Sequence, residues 1–400
     1  MVRSPAVLVA VILCLALVPR ILDLGVFVGP DEGSWVRRSD NFARALASGD
    51  LAATYQSGHP GVTLLWLELP VSWPAQLAAP DTVGYDIVAD DDEDASLLSL
   101  GELRVKRQVA AAVHAIIVAL VVLGVRAVFG PGVAWVAGGL IAFDPFLLTE
   151  SRAVRSEGMV ASFGLLALVG ILLFLRTPRL RLATLAGVLV GLALLSKVSA
   201  AALLPIGALV MVFAPGFVGI SDGLRWRRGL ISLAAWAGGV TLTVVLVWPA
   251  LWVDPMGVAH RMAEYVGLRA VEGGGGGSYA FFLGQITSSK ELGPLFYPVV
   301  ILFRSGPWQW VGVLLLLLTL VWRQRDWPHR AAASVAVLGT FLATYLALIT
   351  WSGLKFDRYT VPMVAVFDIL AGLGMITAWR YLTTRYVHLS RLGGLAVGCV

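Results

Sequence analysis

A chain of 400 residues with 58% hydrophobic and only 14% charged side chains is not built like a soluble protein, whose charged fraction averages about 25%. The net charge of +5 and the pI of about 9.4 come from lysines and arginines scattered in short segments between apolar runs. This excludes a nucleic-acid binder with one basic face and points to membrane topology instead.

The mean hydropathy is +0.82, and many apolar runs approach the roughly 20 residues that cross a bilayer. The expected fold is therefore all-α: one polytopic membrane domain over residues 1–400, with about 10–12 transmembrane helices. Arg3 precedes an apolar run over 5–22, and Pro19-Arg20 stands where a cleavage site would need small residues, so this is an uncleaved first helix. A long polar region follows over 23–108. Apolar spans are then predicted near 109–128, 131–148, 157–175, 182–196, 198–214, 229–252, 308–322, 331–350 and 359–379, and another begins near 392 and is cut at Val400. Cys14 and Cys399 lie in apolar segments near opposite ends and are read as buried small hydrophobes without a disulfide.

Basic residues mark alternate loops: Arg3, Arg126, Arg176 with Arg179 and Arg181, Arg225 with Arg227 and Arg228, Arg323 with Arg325 and Arg330, and Arg380 with Arg385 and Arg391. Read as cytoplasmic, these place residues 23–108, 149–156, 253–307 and 351–358 on the extracytoplasmic side of a plasma (inner) membrane. Within the first of these loops, Trp35 to Leu46 can form a helix ended by Ser48-Gly49-Asp50. Val62 to Trp73 is apolar but too short to span, which fits an interfacial helix. The acidic run Asp90 to Asp94 lacks the glycine and spacing of an EF-hand and reads as a solvated loop. In the loop at 253–307, the five glycines Gly273 to Gly277 read either as a mobile flap or as a flexible linker.

Charge returns repeatedly to this same side. Asp31 and Glu32 follow the first helix. Arg152, Arg155 and Glu157 lie between two spans, Lys197 sits at a span boundary, and Lys355 with Arg358 lies in the last loop. Carboxylates beside cations at a membrane surface suit transfer from a lipid phosphate: the cations stabilise the leaving phosphate and a carboxylate takes the proton of the incoming group. Each piece has a plainer alternative. Asp31-Glu32 could cap a helix, Arg152 and Arg155 could pair with Glu150 or Glu157, Lys197 and Arg358 could snorkel, and His59 could occupy a surface turn.

The ordered set Gly29-Pro30-Asp31-Glu32, Ala47-Ser48-Gly49-Asp50, His59-Pro60, Arg152-Ala153-Val154-Arg155-Ser156-Glu157, Leu194-Leu195-Ser196-Lys197, Phe296-Tyr297-Pro298, Gly306-Pro307-Trp308 and Lys355 with Arg358-Tyr359-Thr360-Val361-Pro362 covers nearly the whole chain. It resembles the GT-C integral-membrane glycosyltransferases that use polyprenyl-phosphate sugars, including protein O-mannosyltransferases and the aminoarabinose transferases of lipid A. The resemblance implies a glycosyltransferase, hexosyl or pentosyl, moving a sugar from a polyprenyl phosphate to a hydroxyl or amine of a lipid, glycan or protein acceptor. It implies Asp31 as the catalytic acid of the first outer loop with Glu32 in support, and Arg152, Lys197, Lys355 and Arg358 around the donor phosphate. His59, Arg155, Glu157 and Tyr359 would contact substrate. His59-Pro60-Gly61 replaces a more usual lysine- or histidine-Pro-Pro, and Glu157 stands where an aspartate is common. Gly58 occupies the place of a metal-binding glutamate in the aminoarabinose branch, so no metal or other cofactor is expected. Two rival readings are a transporter or flippase of lipid-linked sugars and a non-catalytic scaffold of a glycan-assembly complex. The absence of an evident internal repeat weighs against the first.

Overall fold

A computed structural model describes residues 4–26, 28 and 29, 31–78, 100–218, 222–271, 279–322 and 329–385. The acidic run Asp90 to Asp94, the glycine run Gly273 to Gly277 and Cys399 lie outside the described residues. Helix dominates because hydrocarbon offers no partner to a peptide group, so each span must satisfy its own backbone. The chain forms α1 (Pro5–Ile21), α2 (Glu32–Ser48), α3 (Val62–Ala78), α4 (Leu100–Phe129), α5 (Pro131–Phe143), α6 (Pro145–Ser151), α7 (Ser156–Arg176) and α8 (Leu180–Ser196). It continues through α9 (Leu203–Phe213), α10 (Asp222–Val247), α11 (Ala250–Val253), α12 (Pro255–Val271), α13 (Phe296–Arg304), α14 (Pro307–Trp322), α15 (His329–Trp351) and α16 (Val361–Arg385).

Among the described residues, six helical segments are long and apolar enough to cross a membrane, and two further pairs qualify only when joined across a sharp bend. These pairs are α5–α6, bent by 62°, and α13–α14, bent by 108°. Helices α1 and α8 are shorter apolar helices. Prolines account for both bends: Pro145 and Pro307 each open the second helix of their pair, where a missing N–H costs nothing but the preceding helix cannot continue.

The centre of the bundle is α7, with 78% of its apolar window buried, packed against α4, α8 and α16. Helix α10 is at the periphery, with 22% of its window buried, so most of its apolar surface faces outward. Helices α14 and α16 approach closely through small residues. A Cβ on Gly374 would stand 2.0 Å from the Gly312 carbonyl oxygen, and one on Gly312 would stand 2.6 Å from Ala371, the small-residue contact by which membrane helices reach backbone-to-backbone packing.

Two local expectations need correction. Helix α4 begins at Leu100 rather than near 109. The bases that marked its polar boundary, Lys106 and Arg107, are buried and paired instead of solvated. Cys14 is exposed, because the buried stripe of α1 is Leu8, Ile12, Ala16 and Arg20 and Cys14 is two positions off that i, i+4 register. The aromatic-rich stretch from Tyr279, whose secondary structure the sequence leaves open, is a hairpin. Strands β1 (Tyr279–Phe282) and β2 (Gln285–Ser288) pair antiparallel through Leu283 and Gly284, both at positive φ (49° and 87°), as the tightest hairpin turns require.

Candidate functional site

The two adjacent acids of the first loop have different surroundings. Glu32 opens α2 with its side chain fully buried. One oxygen accepts from Gly29 N at 2.6 Å. The other accepts from Val154 N at 3.0 Å and Arg107 Nε at 2.9 Å, and Arg107 Nη2 bonds the carboxylate as well. Burial would raise its pKa, but the Arg107 bonds and the two backbone N–H groups outweigh it and hold the carboxyl below the usual range. With these four donors on it, Glu32 ties the segment before α2, the start of α4 and the turn after α6 together. It supports the site as a positioning residue rather than as an acid presented to substrate.

Asp31 stands beside it at φ +66°, a left-handed conformation that aspartate tolerates better than most residues. It caps no N–H with its side chain. The carboxylate is half exposed and points to Arg358, with Oδ2 2.6 Å from Arg358 Nη2. Arg358 also reaches a second acid: its Nε lies 3.2 Å from Glu157 Oε1. Glu157, in the first turn of α7, also pairs with Lys197 Nζ at 2.7 Å. Lys197 enters because α8 ends there in extended backbone (φ −162°, ψ 141°). The ammonium also lies 4.3 Å from the Tyr359 ring centroid, a cation–π contact. The result is a chain of alternating charge, Asp31, Arg358, Glu157, Lys197, drawn from four separate parts of the sequence.

The other expected residues surround this chain unevenly. Arg155 pairs with Glu150 at 3.3 Å and crowds Gly29, whose Cβ would stand 2.2 Å from its guanidinium. His59 faces Tyr265 of α12, with Nδ1 and the phenol oxygen 2.5 Å apart. Arg152 is held away from the chain, its guanidinium donating to the Leu22 carbonyl at the end of α1. Lys355 is buried, and its ammonium donates to the Ser352 carbonyl at 2.9 Å. Among the described residues it has no carboxylate partner. Burial lowers its pKa below the ordinary lysine value.

An apolar groove of about 610 Å³ opens beside the charges, lined by Tyr279, Phe282, Phe296, Phe303, Arg304 and Phe356 among others. Phe356 joins the two regions, since the Arg358 guanidinium lies 4.5 Å from its ring centroid. Among the described residues no three His, Cys, Asp or Glu side chains lie close enough to hold a metal ion, and a Cβ on Gly58 would stand 2.1 Å from the Tyr265 ring.

Two residues of the site are missing from the sequence reading. Arg107 sits in Leu103-Arg104-Val105-Lys106-Arg107, a basic run that passes for a membrane boundary. Tyr265 lies on α12 directly after Glu264, in a stretch whose charged residues pair locally. Neither carries a local signal, because each acts through a partner distant in sequence.

Comparison with known proteins bears on the fold. Residues 97–252 match the family model described as dolichyl-phosphate-mannose-protein mannosyltransferase. A search of curated protein sequences gives no match. Among solved structures, the chain is similar to ArnT from Cupriavidus metallidurans bound to undecaprenyl phosphate, with 19% identity, a TM-score of 0.59, and 98% of this chain aligned to 64% of that one. It is also similar to the oligosaccharyltransferase AglB from Archaeoglobus fulgidus in complex with an inhibitory peptide and a dolichol-phosphate, with 14% identity, a TM-score of 0.50, and 96% of this chain aligned to 52% of that one. The chain thus spans about two-thirds of the first and half of the second. It is an integral membrane protein that shares the fold of these structures, and its residues 97–252 are similar to the family described as dolichyl-phosphate-mannose-protein mannosyltransferase.

Proposed function

We propose that this protein is a glycosyltransferase that moves a sugar from a polyprenyl phosphate to an acceptor hydroxyl or amine at the extracytoplasmic membrane face. The observation that carries the reading is the charge balance of the site. Two carboxylates, Asp31 and Glu157, stand with the cations Arg358 and Lys197, and Lys355 adds a buried positive charge with no carboxylate among the described residues. A buried charge without a counter-ion is costly, and a phosphate would supply one. The aromatic groove beside Phe356 suits the hydrocarbon chain of the same molecule.

In this reaction the acceptor oxygen or nitrogen forms a bond to the anomeric carbon while the bond from that carbon to the phosphate oxygen breaks, with inversion. Asp31 takes the acceptor proton; it is the acid of the chain that remains half exposed and reachable. Arg358, Lys197 and Lys355 stabilise the charge that develops on the departing polyprenyl phosphate. Glu157 orients Arg358 and Lys197 toward it. His59, Arg155 and Tyr359 are placed to contact the sugar or acceptor. The lipid-phosphate and peptide ligands named for the ArnT and AglB structures are consistent with such a donor and such an acceptor.

The test is binding of polyprenyl phosphate to detergent-purified protein, read as ligand-dependent thermal stabilisation. Wild type is stabilised, and Lys355→Met loses at least about tenfold in affinity, as expected for removal of one charge-assisted contact. Equal affinity in both proteins would contradict the assignment of the phosphate to this lysine.

A further inference from the structure

The β1–β2 hairpin presents its apolar side chains outward. Phe281 and Ile286 are directly paired across the strands and are each 76% exposed; Leu283 at the turn is 71% exposed and Tyr279 is 61% exposed. The opposite face is already used: the Phe282 ring stacks edge-on against Phe296 at 5.2 Å. Residues 279–288 contain no charged side chain. In water this face would be an apolar patch of the kind soluble surfaces avoid, on a hairpin too small to be stable alone.

Its neighbours identify what covers it. Helix α13, against which the hairpin packs, turns through 108° into the span α14 and so lies across the direction of that span. Its outer side exposes Leu302 and Phe303, and its only charged residue, Arg304, pairs at its end with Asp357. Trp308 and Trp310 follow at the start of α14, both exposed, at the level where tryptophans gather between hydrocarbon and headgroups. The exposed Lys290 and Glu291 stand between β2 and α13 in the chain, while the outward faces of the hairpin and of α13 up to Arg304 carry no charge.

We propose that the β1–β2 hairpin is a membrane-inserted element, its Phe281–Ile286 face embedded in the leaflet that borders the site. Tyr279, Phe281, Leu283 and Phe303 also line the groove described above, which on this proposal opens to the hydrocarbon of the leaflet; insertion of the hairpin holds whether or not sugar is transferred. It is tested by depth-dependent quenching. In a Cys14→Ala, Cys399→Ala background, single cysteines are placed by Phe281→Cys, Ile286→Cys and Asp50→Cys, labelled with bimane, and the protein is reconstituted in phosphatidylcholine vesicles. Two quenchers are compared, a phosphatidylcholine carrying a nitroxide at acyl carbon 5 and aqueous iodide. The expected result is strong quenching of the Phe281 and Ile286 positions by the lipid nitroxide and weak quenching by iodide, with the reverse at the exposed Asp50 position. Iodide quenching at Ile286 equal to that at Asp50 would overturn the proposal by placing the hairpin in water. Protection of Ile286 from both quenchers would overturn it equally, since a protein partner or second copy would then cover the face.

Discussion

Asp31 and Glu32 are neighbours of the same charge, yet the structure gives them opposite surroundings, one half exposed and one fully buried. Glu32 is the partner of a buried guanidinium and of two backbone N–H groups. Glu32→Ala therefore strands Arg107 in the interior, a change that costs about 3–5 kcal/mol, and it is expected to lower the melting temperature and yield of purified protein sharply. A Glu32→Ala protein that melts with wild type would refute the positioning role. Glu68, in the interfacial helix α3, makes a second prediction. It is fully buried, neither carboxylate oxygen has a hydrogen-bond partner, and burial pushes its pKa up to about 8 from an ordinary 4.5. Between those values the folded chain holds a proton that the unfolded chain releases. The stability it contributes is thus full below about 4.5 and is lost as pH rises through about 8. Glu68→Gln keeps the neutral shape, and it should raise the melting temperature at pH 8 and flatten its decline between pH 5 and pH 8. An unchanged decline would show that another group sets it.

At the scale of elements, the two bent pairs are stitched together at their bends. Gln309, just after the break between α13 and α14, donates to Asp144 Oδ2 at 3.1 Å and to Asp368 Oδ1 at 2.7 Å. Asp144 marks the break between α5 and α6 and caps α6 through Leu147 N at 2.7 Å, while Asp368 lies on α16, whose leading turn carries Arg358. One amide thus fixes the half-helix leading to Arg155 and Glu157 relative to the helix leading from Arg358. Polar groups placed inside a bundle this way hold helices in register where apolar packing alone is indifferent. Gln309→Leu removes the shared donor, at a cost of about 2 kcal/mol. It is expected to lower the melting temperature and to weaken donor binding, whereas Gln309→Glu, which adds a third carboxylate, should be worse. Equal behaviour of both variants and wild type would show that the bends are set by proline alone.

At the scale of the whole molecule, the sequence carries the apolar spans and the charged segments that gather in one place, Asp31, Glu157, Lys197 and Arg358. Apolar length and arginine placement are local signals, and they are strong because hydrocarbon tolerates so few alternatives. The helix from Trp35 and its end at Gly49 were equally legible: Gly49 takes the left-handed C-cap at φ +76°. The pairing of Asp31 with Arg358 and of Glu157 with Lys197 was legible only as proximity to one face, because which acid meets which base depends on how four distant segments pack. For the same reason the Glu32–Arg107 pair was hidden: Arg107 sits where a membrane-boundary arginine is expected and gives no sign of burial. The β1–β2 hairpin escaped because an aromatic run such as Tyr279-Ala280-Phe281-Phe282 fits an interfacial helix as well as a strand. Arg152 looks equivalent to Arg155 in the sequence, but the turn between α6 and α7 sends it to the carbonyl of Leu22.

On the proposed function, a sugar leaves a polyprenyl phosphate beside the chain of charges Asp31, Arg358, Glu157 and Lys197. The direct measurement is release of free polyprenyl phosphate from radiolabelled polyprenyl-phosphate sugars extracted from the source cells, by purified wild type and by Asp31→Asn. Asp31→Asn should fold as wild type does, since Asp31 is half exposed and caps nothing. Release by wild type with a loss of about 10²-fold or more in the variant is the result this account predicts. Equal release by both proteins, or none from wild type with an intact donor and well-folded protein, would contradict it.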